Sequence, residues 1–166
     1  SIVTIDKEIS EIINRKSHKT VDFEKKNTKY LNYREYFYPE MKPFLDEKIR
    51  KEIEKKLLTY GSDIFDNFDE NRQLGENDSY MCSLIRQDSV EDFIRYLTQN
   101  SISPTRNVNF SIFETNAFLL NNEIALIDYA AFFGSIEIFN YLRLNNADLT
   151  ETTWIASIHG KNPLII

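Results

Sequence analysis

Tyr129-Ala130-Ala131-Phe132-Phe133-Gly134-Ser135-Ile136-Glu137-Ile138-Phe139-Asn140-Tyr141-Leu142 decides how this chain is read. Ile124, Leu126, Ile127, Ala130 and Ala131 mark one helix face that ends at Gly134. Alanines at a helix contact let two backbones approach closely. Ser135 is placed to cap a second helix, whose buried side is Ile136, Ile138, Phe139 and Leu142. Asn146 follows where a left-handed residue is wanted, and Asn tolerates that conformation well. The pattern predicts a helix-turn-helix unit built to stack on others like it.

The unit has partial copies on both sides. Upstream, Asp78 is the expected cap of a helix with Tyr80, Met81, Leu84 and Ile85 on one face. Asp88 breaks the pattern, and Ser89-Val90-Glu91-Asp92 opens the next helix in a capping-box-like form. Val90, Phe93, Ile94 and Leu97 give its apolar face. Residues Ser101 to Asn122 interrupt the array, yet Ile112, Phe113, Phe118, Leu119 and Leu120 predict a packed insertion. Downstream, Trp154, Ile155 and Ile158 mark another first helix. Pro163 then sits at the favoured first position of its partner. The chain opens on Ser1 and closes on Pro163-Leu164-Ile165-Ile166, the expectation for a segment cut inside a repeat.

Residues 1–77 read as a separate helical region, with a short helix expected over Asp6 to Arg15 and loop from Lys16 to Lys29. Tyr30, Tyr33 and Phe37 fit one helical face that Pro39 should end. Leu45, Ile49, Ile53 and Leu57 form a single seam on a helix from Leu45 to Tyr60, with Gly61 as its stop. A further helix is expected from Asp63 to about Arg72. The fold class is therefore all-α: an N-terminal helical segment over 1–77, then an irregular helix-turn-helix solenoid over 78–166 with about three repeats, the last truncated.

Composition narrows the function. The formal net charge is −6. Residues 78–166 hold 5 Lys+Arg against 10 Asp+Glu, a balance of −5, and 15 against 16 precede them. An acidic chain without a basic stripe is a poor partner for nucleic acid, whose phosphates need clustered cations. No apolar run approaches the roughly 20 residues of a membrane span. The single Cys82 has no base near it in the pattern and reads as a buried, inert thiol. With His18 and His159 far apart, no metal-ligand spacing exists, and neither a metal nor a cofactor is expected. An intracellular, cytoplasmic placement fits the cysteine usage.

The middle unit resembles an ankyrin repeat. Ala130-Ala131-Phe132-Phe133-Gly134-Ser135-Ile136-Glu137-Ile138 is similar to that family's Ala-Ala-x-x-Gly-His-x-Glu-[Val/Ile] core, and Asn146-Ala147-Asp148-Leu149 to its Gly-Ala-Asp-Val ending. The nearer resemblance is to a divergent ankyrin-like group with a domain of unknown function, expanded in parasitic protists. It is carried by Gly75-Glu76-Asn77-Asp78-Ser79-Tyr80, Phe110-Ser111-Ile112-Phe113-Glu114-Thr115-Asn116 and Tyr129 to Tyr141. Two departures stand out. The turns at Asp88-Ser89, Gly134-Ser135 and Asn162-Pro163 are 46 and 28 residues apart, against roughly 33 in a regular array. Ala125-Leu126-Ile127-Asp128 replaces Thr-Pro-Leu-His, so the usual polar links between repeats are missing.

The resemblance implies a non-catalytic protein-protein interaction module that binds through its concave face. On that face it places Arg86 and Gln87, Phe132 and Phe133, then Gly160 and Lys161. Arg86, Gln87, Phe132, Phe133 and Lys161 are thus the candidate contacts with an unknown protein partner, with no nucleic acid and no membrane involved. The alternative reading is a structural or self-associating helical protein. An enzyme of unknown reaction is the remote one, since no phosphate loop or nucleophile elbow occurs.

Overall fold

The computed structural model describes residues 33–165; the expected Asp6–Arg15 helix, the Lys16–Lys29 loop, Tyr30 and His18 lie outside them. Ten α-helices and no strand occur among the described residues, so the protein is all-helical there. The chain divides into two compact units, Ser1–Leu74 and Gly75–Ile166.

In the first unit, Tyr33–Tyr36 (α1) and Tyr38–Met41 (α2) are separate single turns. Pro39 lies at the start of α2, where its missing N–H costs nothing, so it begins a helix instead of ending one. A 3₁₀ turn over Lys42–Phe44 leads to Glu47–Leu57 (α3). Asp46 sets the start of α3 by accepting the Ile49 N–H at 2.9 Å. The helix is thus shorter than the Leu45–Tyr60 expectation, and it closes at Leu57, before Gly61 is reached. Ile49, Ile53 and Leu57 are buried as the seam requires, and Tyr38, Met41, Leu45, Ile64 and Phe68 complete the core. Residues 62–67 form turns, and the following helix is Phe68–Leu74 (α4), displaced from the expected Asp63 start. Lys56 pairs with the buried Glu35 at 3.0 Å and Arg72 with Glu40 at 2.6 Å.

The second unit begins with Tyr80–Arg86 (α5) and Val90–Gln99 (α6). Ser79, not Asp78, caps α5 by accepting the Cys82 N–H, while Asp78 accepts the Ser111 hydroxyl at 2.6 Å. The insertion is packed through Ile112, Phe113 and Leu119. It carries a short helix, Ala117–Asn121 (α7), and meets residue 125 in an isolated antiparallel bridge between Asn107 and Ala125. Leu126–Phe133 (α8), Ile136–Leu144 (α9) and Glu151–Gly160 (α10) follow.

Helix α8 lies centrally, packed against α5, α9 and α10. Gly134 ends it at φ +72°, and Asn146 follows α9 at φ +65°. Serine capping fails at both expected turns. Neither the Ser89 nor the Ser135 hydroxyl caps the helix that follows it, although the carbonyl of each accepts that helix's first backbone bond. Ser135 Oγ donates instead to the Ile85 carbonyl at 2.5 Å. The cap of α9 comes from Asp88, whose carboxylate accepts the N–H groups of Glu137 and Ile138 at 3.1 and 3.0 Å. Asn162 Nδ2 donates to the Gly134 carbonyl at 2.9 Å, and residues 163–165 form a turn. Each successive helix-pair turn is thus bonded to the one before it.

Candidate binding face

Three of the five candidate residues converge at the C-terminal ends of α5 and α8. Arg86 is drawn inward. Its Nε pairs with Glu76 at 2.9 Å, and its Nη1 donates to the Asn77 carbonyl and the Tyr129 hydroxyl at 2.9 and 2.8 Å. Only 17% of its side chain is exposed. Its guanidinium lies 5.9 Å from the Phe133 ring centre. Arg86 is therefore an internal tie between the entry to α5 and α8, with its Nε and Nη1 already bonded to protein groups.

Phe132 and Phe133 are half-buried and form part of a longer aromatic row. Phe133 packs on Tyr129 at 4.7 Å and edge-on to Phe132 at 5.1 Å. Phe132 stacks on His159 of α10 at 5.0 Å and on Phe118 of α7 at 5.7 Å. Phe118 and His159 are themselves 5.5 Å apart. Offset ring contacts of this kind add about 0.5–1.5 kcal/mol each beyond buried area. The row fixes the ends of α8 and α10 and the insertion helix against one another. The insertion thus covers part of Phe132 and leaves part available.

Gln87 and Lys161 are exposed. Lys161 takes a left-handed conformation, φ +51°, and its N–H closes α10 by donating to the Ser157 carbonyl. Sequence reasoning missed Tyr129, Phe118 and His159 as members of this row. The only signal for the last two was a lone His at a turn and a Phe in an insertion.

Beneath the row lies a polar layer. Glu114 is 5% exposed and accepts the N–H groups of Asn77 and Asn116 at 3.3 and 2.8 Å. Burial pushes its carboxyl above the usual range, against the pull of those N–H donors and of Arg86. Burial likewise pushes the fully buried Cys82 thiol up to about 11. A thiol held there is not a thiolate at neutral pH, so it is a poor nucleophile. Among the described residues no group of three or more His, Cys, Asp or Glu side chains is arranged to hold a metal ion. No helix among them is long and apolar enough to cross a membrane. No family model, no curated protein and no solved structure matches this chain.

Proposed function

We propose that the second unit is a non-catalytic protein-binding module, an irregular ankyrin-like stack whose exposed row of helix ends contacts a partner protein. The observation that carries this reading is the half-exposed aromatic row Phe118, Phe132, Phe133 and His159, held rigid by contacts from three separate helices. Rings fixed before binding lose little conformational freedom on association, which suits an anchor. Gln87 and Lys161 flank the row as exposed polar positions. The bonds from Ser135 to Ile85, from Asp88 to α9 and from Asn162 to Gly134 support the stacked arrangement. The groups able to do chemistry beneath the row, Cys82 and Glu114, are buried within the chain's own packing. A cytoplasmic setting belongs to the same proposal.

The test is affinity capture with the wild-type protein, a Phe132→Ala/Phe133→Ala variant and a milder Gln87→Glu/Lys161→Glu variant. Circular dichroism first establishes that each is folded. Loss of the same partners in both folded variants supports the face. Partners that bind all three equally reject it.

A second reading, self-association, is favoured by a different observation. Trp154, Ile155 and Ile158 on α10 are 55%, 43% and 67% exposed, an apolar face turned away from the core. Light scattering across a concentration series tests it, and a monomer at every concentration removes it.

A further inference from the structure

Helices α8 and α10 share one carboxylate. Asp128 is the third residue of α8 and is 3% exposed. Its Oδ2 accepts the Ala125 N–H at 3.0 Å, which caps its own helix. Its Oδ1 accepts the Thr153 hydroxyl of α10 at 2.5 Å. Thr153 Oγ in turn accepts the Thr150 N–H at 3.0 Å, capping α10, and lies 3.4 Å from Thr150 Oγ. A single chain of hydrogen bonds therefore runs from the start of one helix to the start of the other.

Among the described residues no cation completes this chain. Arg86 on α5 is committed to Glu76, Asn77 and Tyr129. Glu137 and Arg143 on α9, Glu151 and His159 on α10, and Glu123 ahead of α8 are all exposed. In the insertion, Arg106 donates to Asn109 and Glu114 holds Asn77 and Asn116. The partners of Asp128 are neutral donors. Burial without a countercharge disfavours the ionised carboxyl. The Asp128 carboxyl is accordingly held above its usual range, burial outweighing the Thr153 and Ala125 donors.

We propose that Asp128 is a proton-operated latch on α10, in which the hydroxyl chain Asp128–Thr153–Thr150 reverses direction when the carboxylate takes up a proton. Ionised, Asp128 accepts from the Thr153 hydroxyl. Protonated by one proton from solvent, its O–H donates to Thr153 Oγ, and the Thr153 hydroxyl turns to Thr150 Oγ. The Thr150 N–H donates to Thr153 Oγ in both states, so no donor is orphaned. The protonated state carries no buried charge and holds α10 more tightly. A group raised in the folded state adds stability in full below its unfolded value and loses it as pH rises through its folded value. The docking of α10 therefore weakens as pH rises from the ordinary aspartate value through the raised one. Since α10 carries His159 and is followed at once by Lys161, the latch also sets one end of the proposed binding face. That last consequence rests on the proposed function; the latch itself does not.

Hydrogen exchange of the whole protein from about pH 4, near the ordinary aspartate value, to about pH 8 tests this, with each amide corrected for its intrinsic rate. The readout is protection in α10 divided by protection in α6. In the wild type this ratio should fall as pH rises, by at most about tenfold per pH unit, the limit for one proton. In Asp128→Asn it should be flat. If that variant fails to fold, the side-chain carboxyl of Asp128 is followed by NMR in the wild type, and its midpoint should coincide with that of the α10 amides. A flat ratio in the wild type, a slope that survives in Asp128→Asn, or an Asp128 midpoint unrelated to α10 overturns the latch.

Discussion

Helices α8 and α10 lie side by side and solve opposite packing problems. In α8, Leu126, Ile127, Tyr129, Ala130 and Ala131 are all but inaccessible, because neighbours cover it on more than one side. In α10 the buried residues are Thr153, Ala156 and Ser157, while Trp154, Ile155 and Ile158 face solvent. The closest approach between the two helices is made by their smallest residues. A Cβ on Gly160 would stand 2.1 Å from the Ala131 carbonyl oxygen, and one on Gly134 would stand 2.9 Å from the Gly160 oxygen. Stacking here depends on backbones that can touch, and bulk is placed where it does not obstruct them.

The contrast predicts a descending series of effects. Ile127→Ala should cost about 3 kcal/mol in urea unfolding, since it opens a cavity beneath α8. A loss under roughly 1 kcal/mol would mean that α8 is not the central layer. Gly160→Ala should cost about 2 kcal/mol by forcing α10 off Ala131. The only tryptophan, Trp154, lies on α10, so its fluorescence should report that displacement. An unchanged emission and midpoint would show that the contact is slack.

Glu114 separates the joint from its surroundings. Its raised carboxyl contributes stability that is complete below about pH 4.3 and is lost as pH rises through its folded value. From about pH 4 to about pH 8 the melting temperature of Glu114→Gln should therefore rise relative to that of the wild type, which alone loses this contribution. The pH response of α10 should stay as it was, because Glu114 bonds Asn77 and Asn116 and not α10. The smallest effect belongs to Ile158→Ala, expected within about 0.5 kcal/mol at an exposed site. A loss as large as that of Ile127→Ala would erase the distinction between the two helices.

Helix existence was legible in the sequence wherever apolar spacing ran long enough. The Leu45, Ile49, Ile53, Leu57 seam and the Ala130, Ala131, Gly134 unit both fold as their periods require. What the period conceals is which neighbour each face meets. Trp154, Ile155 and Ile158 mark α10 correctly, yet its contact with α8 uses Thr153, Ala156, Ser157 and Gly160, which a hydrophobicity pattern passes over. The polar links were hidden for a related reason. Ala125-Leu126-Ile127-Asp128 lacks the Thr and His of an ankyrin repeat, but Asp128 and Thr153 themselves link α8 to α10. An acid three residues after a helix start, followed by Thr150 and Thr153 at the same spacing, was the available clue. Of the candidate face, Phe132 and Phe133 follow from position alone. The inward turn of Arg86 depends on Glu76 and Asn77 reaching it, which no local pattern encodes.

Asp88 carries a consequence for how this unit comes apart. It sits at φ +50° in the turn before α6, yet its carboxylate closes the start of α9. The first turn of α9 is therefore on loan from a segment nearly fifty residues earlier. Opening the α5–α6 turn uncaps α9 at the same moment, so the two regions should fray together as one cooperative block and exchange their amides in step. A fragment beginning at α8 would retain every residue of α9 and still lack the group that starts it.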